Sequence, residues 1–455
     1  MIRAQPLIFA GASAQSLDQP DYHTQRMLNV YAVDTPPSDY GQVLYKGAAG
    51  LRRVADLGGP VRALGEMGGQ LYAVAGGQLH RVDAAGTATP LAAIPDAAKT
   101  IMDGDDQTIL IAHGGGVTAF DVASGTASAV PNVPNASSVA YIDSFAIFTE
   151  PGSGRFYVSD AGDLDSVDPL SFATAETNED NLVRVFVDHR EIWLFGESSV
   201  EVWYVSGGAD LPVSRANDAS LEKGCGAPMS VQKLSNTVFW VGNERVVYAA
   251  SGYVPQTISN TALNQRLNAL TQAQMEELTS SVWNEEGREM YALHLPDDTT
   301  WVFDTTSGAW WERGTEAGPW RGRCSAFAFS RWFIGGDDGV LYELDHDHFL
   351  DGDDQILREM ISAPIGDGNK RMQHRYLRLD MGQSTEGLTV ELGISKEGDP
   401  YDAAPARVVS GDQSRRRLQW NNLGQSRWRT YRLRCFSDRR FYMRGALLGV
   451  VAGRD

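Results

Sequence analysis

Few places in this 455-residue chain combine residue types that could do chemistry. Asp345–His346–Asp347–His348 sets carboxylates beside imidazoles, the oxygen-rich half of a cation site. It lacks the sixth-position glycine and distal glutamate of a calcium loop, so it reads as a solvated interdomain loop. Glu285 and Glu286 are paired carboxylates suited to general acid–base work, but nothing in the spacing places two carboxylates across a cleft. Asp103–Gly104–Asp105–Asp106 reads as an exposed turn. His294 continues a strand pattern and reads as a packed residue rather than a base. Trp310, Trp311, Trp320 and Trp332 could form a sugar platform, yet they lie on or beside strands and read as core. Cys225, Cys324 and Cys435 are far apart, odd in number and without a CxxC pair, as expected of buried free thiols. GxxxxGK[ST], GxGxxG between strand and helix, HExxH and GxSxG are missing. No catalytic, metal or cofactor-binding residue is assigned.

The elements that would position such residues come from a repeat. Gln70–Leu71–Tyr72–Ala73–Val74 leads through Gly76–Gly77 to Leu79–His80–Arg81–Val82–Asp83, then Gly86. The pattern returns at Thr108–Ala112 and Val117–Asp121 with Gly125, and at Glu289–Leu293 and Trp301–Asp304 with Gly308. A fourth copy, Arg331–Ile334 and Val340–Asp345, keeps the aspartate without the glycine. A spacing of roughly forty residues is that of propeller blades. Apolar runs rich in Val, Ile, Leu and aromatics suit a pleated surface. The glycine pairs permit the positive φ of tight hairpins, and each closing aspartate can accept the N–H two residues on. A lone hairpin cannot bury its apolar face, whereas radial stacking can. Candidate units begin near Val61, Thr100, Ser137, Val183, Gly226, Ser280 and Trp320. The expected fold is therefore all-β, a β-propeller with seven blades favoured and six open, plus a small β-sandwich.

Three segments follow from the pattern. Residues 1–45 form an N-terminal arm, whose polar start holds Gln15, Asp18, Tyr22 and Thr24. It includes one strand, Met27–Val33, and is expected to pack with the C-terminal domain. Residues 46–345 form the propeller, with a helical insert near 260–279 signalled by Leu263, Leu267 and Leu270 behind an Asn or Thr cap. Residues 346–455 form an arginine-rich β domain with alternating strands at Tyr376–Asp380, Leu388–Leu392 and Arg429–Phe436. No apolar run approaches the roughly 20 residues of a membrane span, and the apolar part of Met1–Ala10 is short for a signal peptide. Maturation in the cytoplasm is expected.

The net charge of −19 is uneven: Ala406 to Asp455 carries twelve Arg, no Lys and three Asp, net +9, against −28 before it. Such asymmetry suggests a segment facing its own partner. The candidate docking residues are Arg415, Arg416, Arg417, Arg427, Arg429, Arg432, Arg439 and Arg440. Alternation along solvent-facing strand positions is the plainer reading of any single one.

Lys46–Gly47–Ala48–Ala49–Gly50–Leu51–Arg52–Arg53, Phe195–Trp203, Lys223–Ala227 and the run from Gln272 through Arg288–Pro296 to Asp304 together add a family likeness. The chain resembles the tail hub, or nozzle, proteins of short-tailed bacteriophages, the packaged-DNA stabilisation proteins, over roughly residues 20 to 330. The C-terminal part matches more weakly, and its arginines depart from the pattern. The resemblance implies a non-enzymatic virion tail protein without cofactor, assembled in the host cytoplasm. Six copies would ring the channel below the portal and its adaptor, carry a needle, plug, fibre or tailspike, and help retain packaged genome. Double-stranded DNA would pass without sequence specificity. A propeller-fold glycan-degrading tail enzyme and a protein-binding propeller remain alternatives.

Overall fold

In this computed structural model, residues 3–9, 25–38, 41–133, 135–175, 180–208, 211–296, 298–316, 318–368, 370–382, 385, 387–408 and 417–452 are described. Gln15, Asp18, Tyr22, Thr24, Arg415 and Arg416 lie outside them.

The repeat is a four-stranded antiparallel meander. In the first, Val61–Met67, Gln70–Ala75, Gln78–Val82 and Ala88–Ala93 pair in chain order. Gly76 and Gly77, at φ 55° and 74°, make the two-residue turn between its middle strands. The Asp83 carboxylate accepts the N–H groups of Ala85 and Thr87 at 2.9 and 2.8 Å, and Gly86 N–H donates to the Asp83 carbonyl at 2.9 Å. Asp121 and Asp304 close their hairpins in the same way onto Gly125 and Gly308. Asp345, without the glycine, accepts the N–H of Asp347 at 2.8 Å.

Sheets of the same order span 101–129, 138–174, 182–221, 232–257 and 279–313. Gly322–Ala328, Arg331–Gly336 and Val340–Asp345 form a further meander, whose fourth strand is Gly50–Asp56 from the other side of the ring in sequence. The strand Gly322–Ala328 packs beside Val61–Met67, so the circuit closes. First strands of the sheets line one axial cavity of about 500 Å³. The chain is a β-propeller. Its insert forms helices α1 (Thr261–Ala269), capped by the Asn260 side chain, and α2 (Gln272–Glu277), started by a Thr271–Gln274 capping box. Leu263, Leu267 and Met275 bury these helices against the neighbouring sheets.

The sandwich draws on both ends of the chain. One sheet orders Val30–Ser38, Gly41–Gly47, Tyr442–Ala452, Met372–Met381 and Arg417–Asn421, with Arg3–Leu7 added to Tyr442–Ala452. The facing sheet holds Arg26–Leu28, Asp354–Ile361, Trp428–Ser437, Thr389–Lys396 and Asp402–Val408. Pro36 and Pro37 lie in Val30–Ser38, an edge strand, where a missing N–H is tolerated.

One expectation is overturned here: Met27–Val33 is not one strand. Asn29 adopts φ 54°, and the strands on either side of it join opposite sheets. Asn29 is fully buried; its amide donates to the carbonyls of Gly314 and Leu357, each at 2.7 Å, and accepts Gly314 N–H at 3.2 Å. Asparagine is among the side chains that tolerate this left-handed conformation, and here its amide also bonds propeller to sandwich.

Candidate functional site

The arm from Arg26 to Arg52 runs between propeller and sandwich, and the charged residues cluster around it. Leu28 pairs in parallel with Glu312 of the 279–313 sheet and Arg26–Leu28 pairs with Asp354–Ile361, so the two halves share a hydrogen-bonded sheet. Arg26 bridges Glu312 at 3.0 Å and Glu359 at 3.1 Å, and Arg434 reaches Glu359 at 3.3 Å. Arg313, fully buried, donates to the Ala49 carbonyl at 2.6 Å and lies 4.0 Å over the Trp320 ring. Burial lowers its pKa. These residues carried no sequence signal, because Arg26 meets its partners across 286 and 333 residues of chain.

Beside the arm lies a cavity of about 290 Å³ between the Glu285–Glu286 turn and the sandwich. Here the structure unites two separate sequence candidates, the glutamate pair and His346 of the Asp–His run. Glu285 is buried and committed, accepting Ala49 N–H at 2.7 Å and Trp283 Nε1–H at 3.2 Å. Burial alone would raise the Glu286 carboxyl, but Lys46 at 2.6 Å, with His346 and Arg440, holds it below the usual range. Asp345 pairs with Arg52, Asp347 with Arg440 at 2.6 Å, and the His348 carbonyl accepts Gly50 N–H at 2.9 Å. The acidic run therefore clasps the closing strand of the propeller. Among the described residues, no group of three or more His, Cys, Asp or Glu side chains could hold a metal ion.

Other candidates fall elsewhere. His294 is fully buried in a sheet; Trp310, Trp311 and Trp320 are core, and Trp332 is partly buried. Asp103 corrects the reading of an exposed turn. It belongs to the strand Ile101–Gly104 on the axial cavity, accepts Tyr141 N–H at 2.9 Å, and has its pKa raised by burial.

The candidate docking arginines divide. Arg417 is exposed and pairs in register with Asp380 near one end of Met372–Met381, the end where Gly382 N–H meets the Tyr442 carbonyl. Arg439, exposed, and Arg440 precede Tyr442 at that end. Arg427 and Arg429 flank the other end, where Ser426 pairs with Met372, roughly 25 Å away at strand spacing. Arg427 lies 3.9 Å from Glu397. Arg432 covers the Tyr401 ring at 4.4 Å. Arg429 is fully buried, donating to Ser426 Oγ at 2.8 Å and the Leu423 carbonyl at 2.7 Å. It holds the sandwich together and contributes nothing to its surface.

No curated protein sequence matches the chain. Solved structures that align with it include the designed protein Ika8, at TM-score 0.42 and 12% identity over 65% of this chain and 99% of that one. The Pan2 WD40 domain of Neurospora crassa aligns at 0.41 and 8% over 63% and 89%. PorZ of Porphyromonas gingivalis, a surface component of the type-IX secretion system, aligns at 0.38 and 12% over 64% and 37%. At these scores the likenesses carry no argument. The family model described as bacteriophage P22 Gp10, beta-propeller, matches residues 4–349, from the first strand of the sandwich through the whole propeller. The chain belongs to this phage stabilisation family.

Proposed function

We propose that the protein is the hub, or nozzle, subunit of a short phage tail. Family membership across residues 4–349 makes it a phage structural protein and carries the reading. In the proposed assembly six copies, each with a seven-bladed propeller, form a ring below the portal and its adaptor. Such a ring would use two different faces of each subunit, a heterologous closed interface. It continues the DNA channel, helps retain the packaged genome and carries a needle, plug, fibre or tailspike. Assembly takes place in the host cytoplasm. The role is structural rather than enzymatic, which the commitment of Glu285 to Ala49 and Trp283 supports.

The sandwich end bearing Arg417 and Arg439 is the proposed docking face for an acidic adaptor. Both side chains are exposed, whereas Arg429 and Arg434 serve internal contacts. Electron microscopy of particles should show six copies of the propeller in one ring below the portal. Arg417→Glu with Arg439→Glu should lower incorporation into particles while the isolated chain keeps its melting temperature. Wild-type incorporation of that variant defeats the docking face; a different ring position or symmetry defeats the hub itself.

A further inference from the structure

The axial cavity of the propeller is lined by the cations Arg62, Lys99, Arg184 and Arg323 and by as many carboxylates, yet one guanidinium is left outside the ion pairs. Its volume of about 500 Å³ falls within the ~300–1,000 Å³ of small-molecule sites. The carboxylates on its wall are mostly engaged. Asp337 pairs with Arg323 and Glu276 with Lys99 at 2.6 Å, while Asp103 accepts the N–H groups of Tyr141 and Gly104, each at 2.9 Å. Glu277 stands exposed.

Arg184 is different. Among the described residues it has no ion-pair partner. Its Nη1 approaches the Met229 sulfur at 3.9 Å, and its Nε is closed off from solvent without a hydrogen-bond partner. The ionisable groups nearest in effect are Cys225 and Asp103. Burial pushes the Cys225 thiol up to about 12, so it stays neutral, and burial raises the Asp103 carboxyl as well. Burial lowers Arg184 itself only to about 10, which leaves it charged at neutral pH. Arg62, from a sheet not adjacent to that of Arg184, also lines the cavity. Its Nε lacks a hydrogen-bond partner and stands 3.7 Å from the largely exposed Asp96 carboxylate.

We propose that this cavity binds a compact oxyanion, a carboxylate or a phosphate, through the Arg184 guanidinium, with Arg62 adding to the positive field. A half-buried guanidinium with no carboxylate at ion-pair distance, and Asp103 acting on it only from further off, is left incompletely compensated. Its planar fork matches the two oxygens of a carboxylate or phosphate in one bidentate contact. The inference goes beyond the tail role and stands whether or not the chain is a hub.

The test is calorimetric titration of the full chain with sodium phosphate and, separately, with succinate, in Tris chloride at fixed ionic strength. Saturable binding to one site is expected, weakened about tenfold or more in Arg184→Met and less in Arg62→Met. In buffer free of oxyanions Arg184→Met should melt at or above the wild-type temperature, which separates lost binding from lost fold. Should that variant fail to fold, Arg184→Lys, which keeps the charge without the fork, takes its place and should also bind more weakly. The tighter of the two titrants tells a phosphate source from a carboxylate source. No saturable binding of either anion, or wild-type affinity in the folded Arg184 variant, overturns the proposal.

Discussion

His374 and His294 are neutral imidazoles locked inside the two halves of the molecule. His374 Nδ1 lies 2.7 Å from the Tyr431 hydroxyl, and burial, then the charge of Arg429, pushes its pKa down to about 3. His294 sits between Ser281 Oγ at 2.7 Å and Thr300 Oγ1 at 3.1 Å, with its pKa held well below 6.5 by burial, then by Arg323 and Arg313. Below about 6.5 the unfolded chain binds protons at both positions and the folded chain does not. Stability therefore rises with pH up to that value and levels off above it. Melting temperature should fall between pH 6.5 and 5, before most carboxylates titrate. Each histidine contributes up to about 1.4 kcal/mol per pH unit. His374→Gln should make that slope shallower than in the wild type, and an unchanged slope in this variant would contradict a neutral His374. Reading His294 as a packed residue was possible because its strand pattern is local. Nothing local marked Asp103 as lining an axis, since Tyr141, which binds it, belongs to the next sheet.

Among elements, the strand Gly50–Asp56 matters most. It completes the last propeller sheet with a segment from the far side of the repeat, and Gly50 passes beside the acidic run. A Cβ on Gly50 would lie 2.4 Å from the His348 carbonyl oxygen and 2.5 Å from that of Leu350. Both obstacles are backbone, which cannot swing aside. Gly50→Ala should therefore destabilise by more than about 2 kcal/mol, seen as an earlier midpoint in urea. Gly125→Ala, at a turn where a Cβ meets open space but φ is 68°, should cost only about 1 kcal/mol. Equal midpoints for the two variants would mean that the closing strand is not held as described. In the sequence Lys46–Arg53 stood out only as one of the segments that carry the family likeness. The sequence did not show that Gly50–Asp56 is the last unit's fourth strand, because pairing with Val340–Asp345 spans almost the whole propeller. Likewise Met27–Val33 is apolar apart from Asn29, and only the left-handed backbone at that residue sends its halves to different sheets.

At the scale of the whole molecule, charge separates body from tail. The first 405 residues carry −28, which suits the proposed channel, since a wall that does not grip phosphate would let DNA slide. Basic proteins bind duplex DNA non-specifically at roughly 10⁻⁴–10⁻⁶ M through counterion release. The isolated protein should show no retardation of mixed-sequence duplex at about 150 mM salt in a gel-shift assay. Micromolar binding with a steep salt dependence would reject the sliding-channel reading. The +9 of the C-terminal segment is also smaller in effect than its count, because Arg434 and Arg440 are spent on Glu359 and Asp347 and Arg429 is buried.

The sequence by itself determined the repeat, the aspartate-and-glycine closures, the helical insert and the all-β class. Each rests on local hydrogen bonds or on a pattern that recurs along the chain, as with Asp83 and the N–H groups of Ala85 and Thr87. Only the tertiary structure decided which arginines reach solvent, how the chain's two ends weave one sandwich, and that Arg184 lines the axial cavity with no ion-pair partner among the described residues. Those outcomes depend on groups far apart in sequence, such as Arg26 with Glu312 and Glu359. Such pairs become neighbours only when the arm packs between propeller and sandwich, burying the carboxylates and half-burying the arginine.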